Sequence, residues 1–172
     1  GRTALENVTT ADGNTAVGVA AGAQTTTGAD NTAMGYLSLN LNSEGTRNTA
    51  VGKESLDANT TGIYNTAIGL NSLSAITTGE RCTAVGRHSL RLNTASKNTA
   101  VGMNSMESNT SGNQNTAFGT RALVGNTTAD HNTAVGNDAL FANTTGTQNV
   151  AVGAEALDAN TTPDPNTTIG IR

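Results

Sequence analysis

"NTAVGKESLDANTTGIY", residues 48–64, is the stretch whose reading decides the fold. Its first five letters return at 14–18, 98–102 and 132–136, and near copies begin at 31, 65, 82, 115, 149 and 166. The spacing is 17 residues throughout, except for one step of 16 between Cys82 and Asn98. A constant period of this kind marks a solenoid, in which each repeat forms one coil stacked on its neighbour. The chain therefore reads as an all-β, parallel β-solenoid of about ten coils, a single repeat domain over residues 1–172.

Counted from the leading Asn, each column of the repeat has a physical job. Within Thr-Ala-Val the side chains alternate, as a strand requires. Column four (Val17, Met34, Val51, Ile68, Val85, Val101, Phe118, Val135, Val152, Ile169) is large and apolar in every repeat and is expected to face a core. Column three, Ala16, Ala33, Ala50, Ala67, Ala84, Ala100, Ala117, Ala134 and Ala151, then points the other way and is the expected trimer interface, a flat strip of small side chains. A second short strand is expected at A/S-L-x-A, as in "SLDA" at 55–58, with its Leu as a second core layer. "NTTG" supplies the return turn through Asn, Thr and Gly. The leading Asn is expected to stack on the Asn of the next coil as an amide ladder, with Cys82 standing in for one Asn. Ten strands at about 4.8 Å make a rod on the order of 45 Å long.

Composition agrees with a fibre rather than a globule. Aromatics are 2% and Trp is absent, while Gly, Asn and Thr abound. The Thr, Asn and Gly density opposes helix, and no 3.6-residue stripe appears. Charged residues fall almost entirely in columns six, seven, ten, sixteen and seventeen, which are expected to face water. The net charge of −4 argues against nucleic acid as a partner. A single Cys precludes an internal disulfide, and no metal-ligand spacing, phosphate loop or cofactor fingerprint occurs, so neither metal nor cofactor is expected. No stretch is long and apolar enough to enter a membrane as a helix.

The words "NTAVG", "NTAIG" and "NVAVG", followed by "ESL", "DAL" or "EAL" and the "NTTG" turn, resemble the head repeats of trimeric autotransporter adhesins and the β-rolls of phage tail fibres. The resemblance covers the whole chain. It implies a left-handed, trimeric parallel β-roll, extracellular on a cell surface or virion fibre, in a segment of a longer protein. The repeat here is longer than the usual head unit, and Thr mostly replaces the apolar second strand residue.

The expected function is structural and adhesive, not enzymatic: rigid display and host attachment as a segment of a surface fibre. His88 and His131 are expected on the surface without a nucleophile beside them. Between residues 81 and 97 four cations and no acid occur, against a net −4 on each side. Arg81, Arg87, His88, Arg91 and Lys97 are thus the candidate ligand-binding residues, a basic collar for a cell-surface glycan or receptor. Two alternatives remain: an ice-binding solenoid using the Thr-Thr pairs (Thr60 and Thr61 through Thr161 and Thr162), and a filament subunit stacking end to end through free strand edges. The sequons at Asn59, Asn126, Asn143 and Asn160 follow from the turn itself.

Overall fold

A computed structural model describes residues 1–161 and 165–171; Thr162, of the last Thr-Thr pair, lies outside them. Ten three-residue strands are spaced along the chain: β1 Thr15–Val17, β2 Thr32–Met34, β3 Thr49–Val51, β4 Thr66–Ile68, β5 Thr83–Val85, β6 Thr99–Val101, β7 Thr116–Phe118, β8 Thr133–Val135, β9 Val150–Val152 and β10 Thr167–Ile169. They form one parallel sheet in sequence order, so the chain is a β-solenoid of about nine turns. Register is kept column for column, including Ala84 on Ala100 across the short step. The missing residue is therefore absorbed in the turn, not in the sheet. Among the described residues no helix is long and apolar enough to cross a membrane.

The faces of the strand are the reverse of the expected ones. Ala50, Ala67, Ala84, Ala100, Ala117, Ala134 and Ala151 are 0% exposed, and Ala33 is 2%. They lie inside a single coil, against Leu56, Leu73, Leu90, Leu123 and Leu140, and Ala16 packs on the same core at its end. Column four points outward, with Val17 53% and Phe118 44% exposed. The alanine column is thus core, not an interface between chains. The reason is width. Leucine and the buried amides already fill the interior, and the strand opposite has room only for a methyl.

The second strand is also absent. Ser55 and Leu56 are adjacent and both fully buried, which a strand cannot arrange because successive side chains leave opposite faces. The chain instead turns through the left-handed region at columns seven and nine, for example Glu54 at φ 52° and Leu56 at φ 53°. A left-handed leucine costs about 1–2 kcal/mol. The repeated burial of that leucine, worth roughly 1.5–3 kcal/mol, offsets it. Serine supports the turn where present: Ser55 Oγ donates to the Gly52 carbonyl at 3.0 Å.

Glycine at column five follows from stacking. Gly69 has φ +131°, and a methyl built on it would lie 2.5 Å from the Gly86 carbonyl oxygen of the next coil. Coils this close leave no space for a β-carbon there.

Two asparagine columns clamp the coils. In column one, Asn48 Nδ2 donates to the Gly62 carbonyl of its own coil at 2.8 Å, and its Oδ1 accepts the Asn65 amide of the next at 2.9 Å. Asn31, Asn65, Asn115 and Asn132 do the same. The expected amide-to-amide ladder is instead strongest in column twelve, the Asn of "NTT". There Asn59 Nδ2 donates to Asn42 Oδ1 at 2.7 Å, and Asn109, Asn126, Asn143 and Asn160 continue the series from Asn93. Buried carboxamides that are fully paired add order without the penalty of orphaned groups.

Candidate functional site

The rod offers three surfaces: the outward sheet face, the corner built by columns six to ten, and the corner of the "NTT" turn. On the sheet face the column-four side chains form a continuous apolar row. Column six, beyond the glycine, widens it with Val19, Tyr36, Leu70 and Met103, all exposed. Lys53 and Arg87 interrupt that second row. Large exposed apolar patches rimmed by polar residues mark association surfaces.

The second corner carries most of the charge. Column seven is left-handed throughout, and its side chains range from buried to exposed. Asp138 is buried, and Glu54 and His88 are half-buried. Ions pair along the rod across one coil. Arg121 Nη2 meets Asp138 Oδ2 at 2.6 Å while its guanidinium lies 5.2 Å from the centre of the Phe141 ring. The hydrogen bond from Arg121 to Asp138 raises the arginine above its ordinary pKa. Asn71 Nδ2 donates to Glu54 Oε2 at 3.1 Å.

The five collar residues do not form one site. His88 and Arg91 share Glu107 of the next coil, with Arg91 Nε at 2.8 Å and His88 Nδ1 at 3.8 Å from its Oε1. Asn104 Nδ2 donates to the other oxygen of the same carboxylate. Arg81 lies on the far side of β5 and pairs with Glu80 at 3.3 Å. Lys97 belongs to that side too, its amide donating to the Glu80 carbonyl at 2.9 Å. Arg87 is exposed in column six and has no ion pair among the described residues. Two acids thus answer two of the four cations, and the strand divides the remainder. His131 is exposed, whereas His88 is only half so.

The "NTT" corner is spent on the coil itself. Hydroxyls of its first Thr donate to the carbonyl one coil on: Thr60 to Thr77 at 3.1 Å, Thr94 to Thr110 at 2.9 Å, Thr110 to Thr127 at 3.0 Å. Of the Thr-Thr pairs, Thr60 and Thr127 commit their hydroxyls in this way. The sequon residues Asn59, Asn126 and Asn143 are fully buried with their amides in the column-twelve ladder, so no folded coil offers them for glycosylation. Reading "NTT" as turn alone overlooked this ladder. The signal lay in the sequence, since the Asn recurs in most coils.

One carboxylate works against the fold. Asp57 has an Oδ1 that is buried with no partner, and burial, with Glu54 nearby, pushes its pKa above the ordinary 3.8. The folded chain then holds that proton more tightly than the unfolded one. Stability falls as pH rises from about 3.8 through the folded value, and the loss is complete above it. Asp57→Asn is expected to raise the melting temperature at pH 7, with the gain disappearing in scans below pH 3.8. A gain that persists at low pH would assign it to something other than the charge.

In comparisons with known proteins, no family model, no curated protein and no solved structure matches this chain.

Proposed function

We propose that the chain is a structural and attachment segment of an extracellular surface fibre, a left-handed β-roll in which three copies lie side by side. The observation that carries this reading is the apolar row of column four, which runs the length of a rod whose interior is already full. A second and third copy of the same chain suit it best. Their rows repeat at the same spacing of about 4.8 Å, so every rung finds an equivalent rung. The resemblance of "NTAVG" and its variants to trimeric adhesin heads and phage tail-fibre rolls supports the number three, the handedness and the location on a cell or virion. The proposed interface is formed by Val17, Met34, Ile68, Phe118 and their column mates, a reading supported by their exposure and by the burial of the alanines. Rigid display follows from the clamped coils. Contacts with a receptor or an acidic glycan fall to the surfaces outside that interface, where Lys97 remains as a cation without an ion-pair partner among the described residues; Arg87, equally unpaired, stands at the edge of the apolar row.

Light scattering tests it. The wild-type chain should have three times the mass of one 17.3 kDa copy. Ile68→Glu with Phe118→Glu should give single chains that keep their β circular dichroism, because a charge in each copy then meets its symmetry mates in a dry interface. A wild-type chain that is monomeric at all concentrations, or a trimer indifferent to both glutamates, would remove the reading.

A further inference from the structure

Both asparagine ladders fail at adjacent coils in the middle of the rod. In column twelve the coil of β4 has Ile76, fully buried, where an Asn is due. Asn59 below it is left with a buried Oδ1 that no group reaches. Asn93 above turns its amide to Ala95 of its own coil, at 2.8 Å, and to the Cys82 sulfur, at 3.7 Å. In column one the coil of β5 has Cys82, whose thiol donates to the Ala95 carbonyl at 3.2 Å. That coil is one residue short. Between the coils of β4 and β5 the Cys82 amide still donates to Asn65 Oδ1 and the Glu80 amide to Ser96 Oγ, each at 3.0 Å, but the turn before Glu80 is unpinned. In the coil of β3 the amides of Thr60, Thr61 and Gly62 all donate to the Thr77 carbonyl. Thr77, Thr78 and Gly79 make no such bond to the coil of β5, and the Thr77 hydroxyl donates to nothing. Turn amides are unbonded above Thr144 as well, but there Asn160 still donates to Asn143.

The opposite side of the same junction is intact. β4 and β5 pair in full register, Leu73 donates to Ser89 at 3.1 Å, and Ala75 donates to Arg91 at 3.2 Å. A junction closed along the sheet and without bonds over columns twelve to fifteen of the turn, Ile76 to Gly79, has one soft direction. We propose that the rod is hinged between the coils of β4 and β5, opening at the Ile76–Gly79 turn beside Cys82 and bending about the sheet while the blocks on either side stay rigid. Stacked coils couple only to their neighbours, so one weak interface divides the array into two cooperative units.

Cys82 is a built-in reporter. Burial pushes its thiol up to about 11, which makes it inert while the coil is closed. The full chain is incubated at neutral pH with 5,5′-dithiobis(2-nitrobenzoate), and amide exchange is followed by mass spectrometry with fragmentation to single residues. The amide of Lys97, bonded across the junction to Glu80, should exchange at least about 10-fold faster than those of Tyr64 and His131, which make the same bond elsewhere. Cys82 should be labelled while the circular dichroism is still that of the folded rod. Ile76→Asn, which joins the two ladder segments, should slow both rates by a similar factor. Lys97 exchange no faster than that of Tyr64 and His131, or labelling of Cys82 only at the rate of global unfolding, would overturn the hinge. A folded Ile76→Asn chain with unchanged rates would overturn the ladder gap as its origin.

Discussion

Ala100→Leu should lower the melting temperature by roughly 2–12 °C, whereas Val101→Leu, one residue on, should leave it nearly unchanged. The first figure combines about 1–3 kcal/mol for overpacking a full interior with about 2–4 °C per kcal/mol for a chain of this size. Ala100 is 0% exposed, between Ala84 and Ala117 on the neighbouring rungs and within the same core as Leu90 and Met106. The coil cannot widen locally, because its neighbours hold it through the sheet on one side and the asparagine clamps on the other. Val101 sits on the outer face, where a further methylene meets solvent or an adaptable apolar partner. Circular dichroism melts of the two variants at the same protein concentration check this. Equal losses from both would mean that the strand faces are not as the coordinates place them.

The contrast also shows where sequence reading succeeded and where it could not. The period, the ten parallel strands, their register and the leucine layer were all legible, because stacking forces each column to repeat. The strand faces were misread by the rule that the larger apolar residue points inward. That rule presumes an interior with room. Variation within the columns held the better clue: column four runs from Val to Phe, as only an unconfined position can, while column three stays Ala in nine coils of ten. The second strand was misread because alternating small and apolar letters look the same for a strand and for a chain alternating into the left-handed region. Leu56 at φ 53° is not a conformation that propensity would suggest. The collar failed for a different reason. Glu107 stands 16 residues from Arg91 in sequence but in contact through one coil, so a linear scan from 81 to 97 finds no acid. In a solenoid, charge must be tallied at the period, not along the chain.

Asn115 is where the clamp can be tested most cleanly, since both ends of its side chain hold buried backbone. Its Oδ1 accepts the Asn132 amide at 2.9 Å, and its Nδ2 donates to the Ala129 carbonyl at 2.8 Å. Asn115→Ala orphans the Asn132 amide, with no water able to enter at 1% exposure, while the Ala129 carbonyl keeps its second donor, Asn126 Nδ2, at 3.1 Å. A buried group left unpaired costs about 1–3 kcal/mol, and the loss is expected to be of that size. Asn115→Asp separates the two halves of the clamp. A carboxylate can still take the Asn132 amide, but it turns a second oxygen toward the Ala129 carbonyl, and that contact is repulsive until a proton fills it. The buried carboxyl should therefore have a raised pKa, and the variant should gain stability as pH falls through the folded value toward the unfolded one near 3.9, the opposite of acid denaturation. Melts of wild type, Asn115→Ala and Asn115→Asp from pH 4 to 8 distinguish these roles. The expected order at pH 8 is wild type well above both variants, with Asp rising toward wild type at pH 4 and Ala showing no such rise relative to wild type. If Ala costs less than about 1 kcal/mol, the repeated asparagine is set by its turn and not by its clamp.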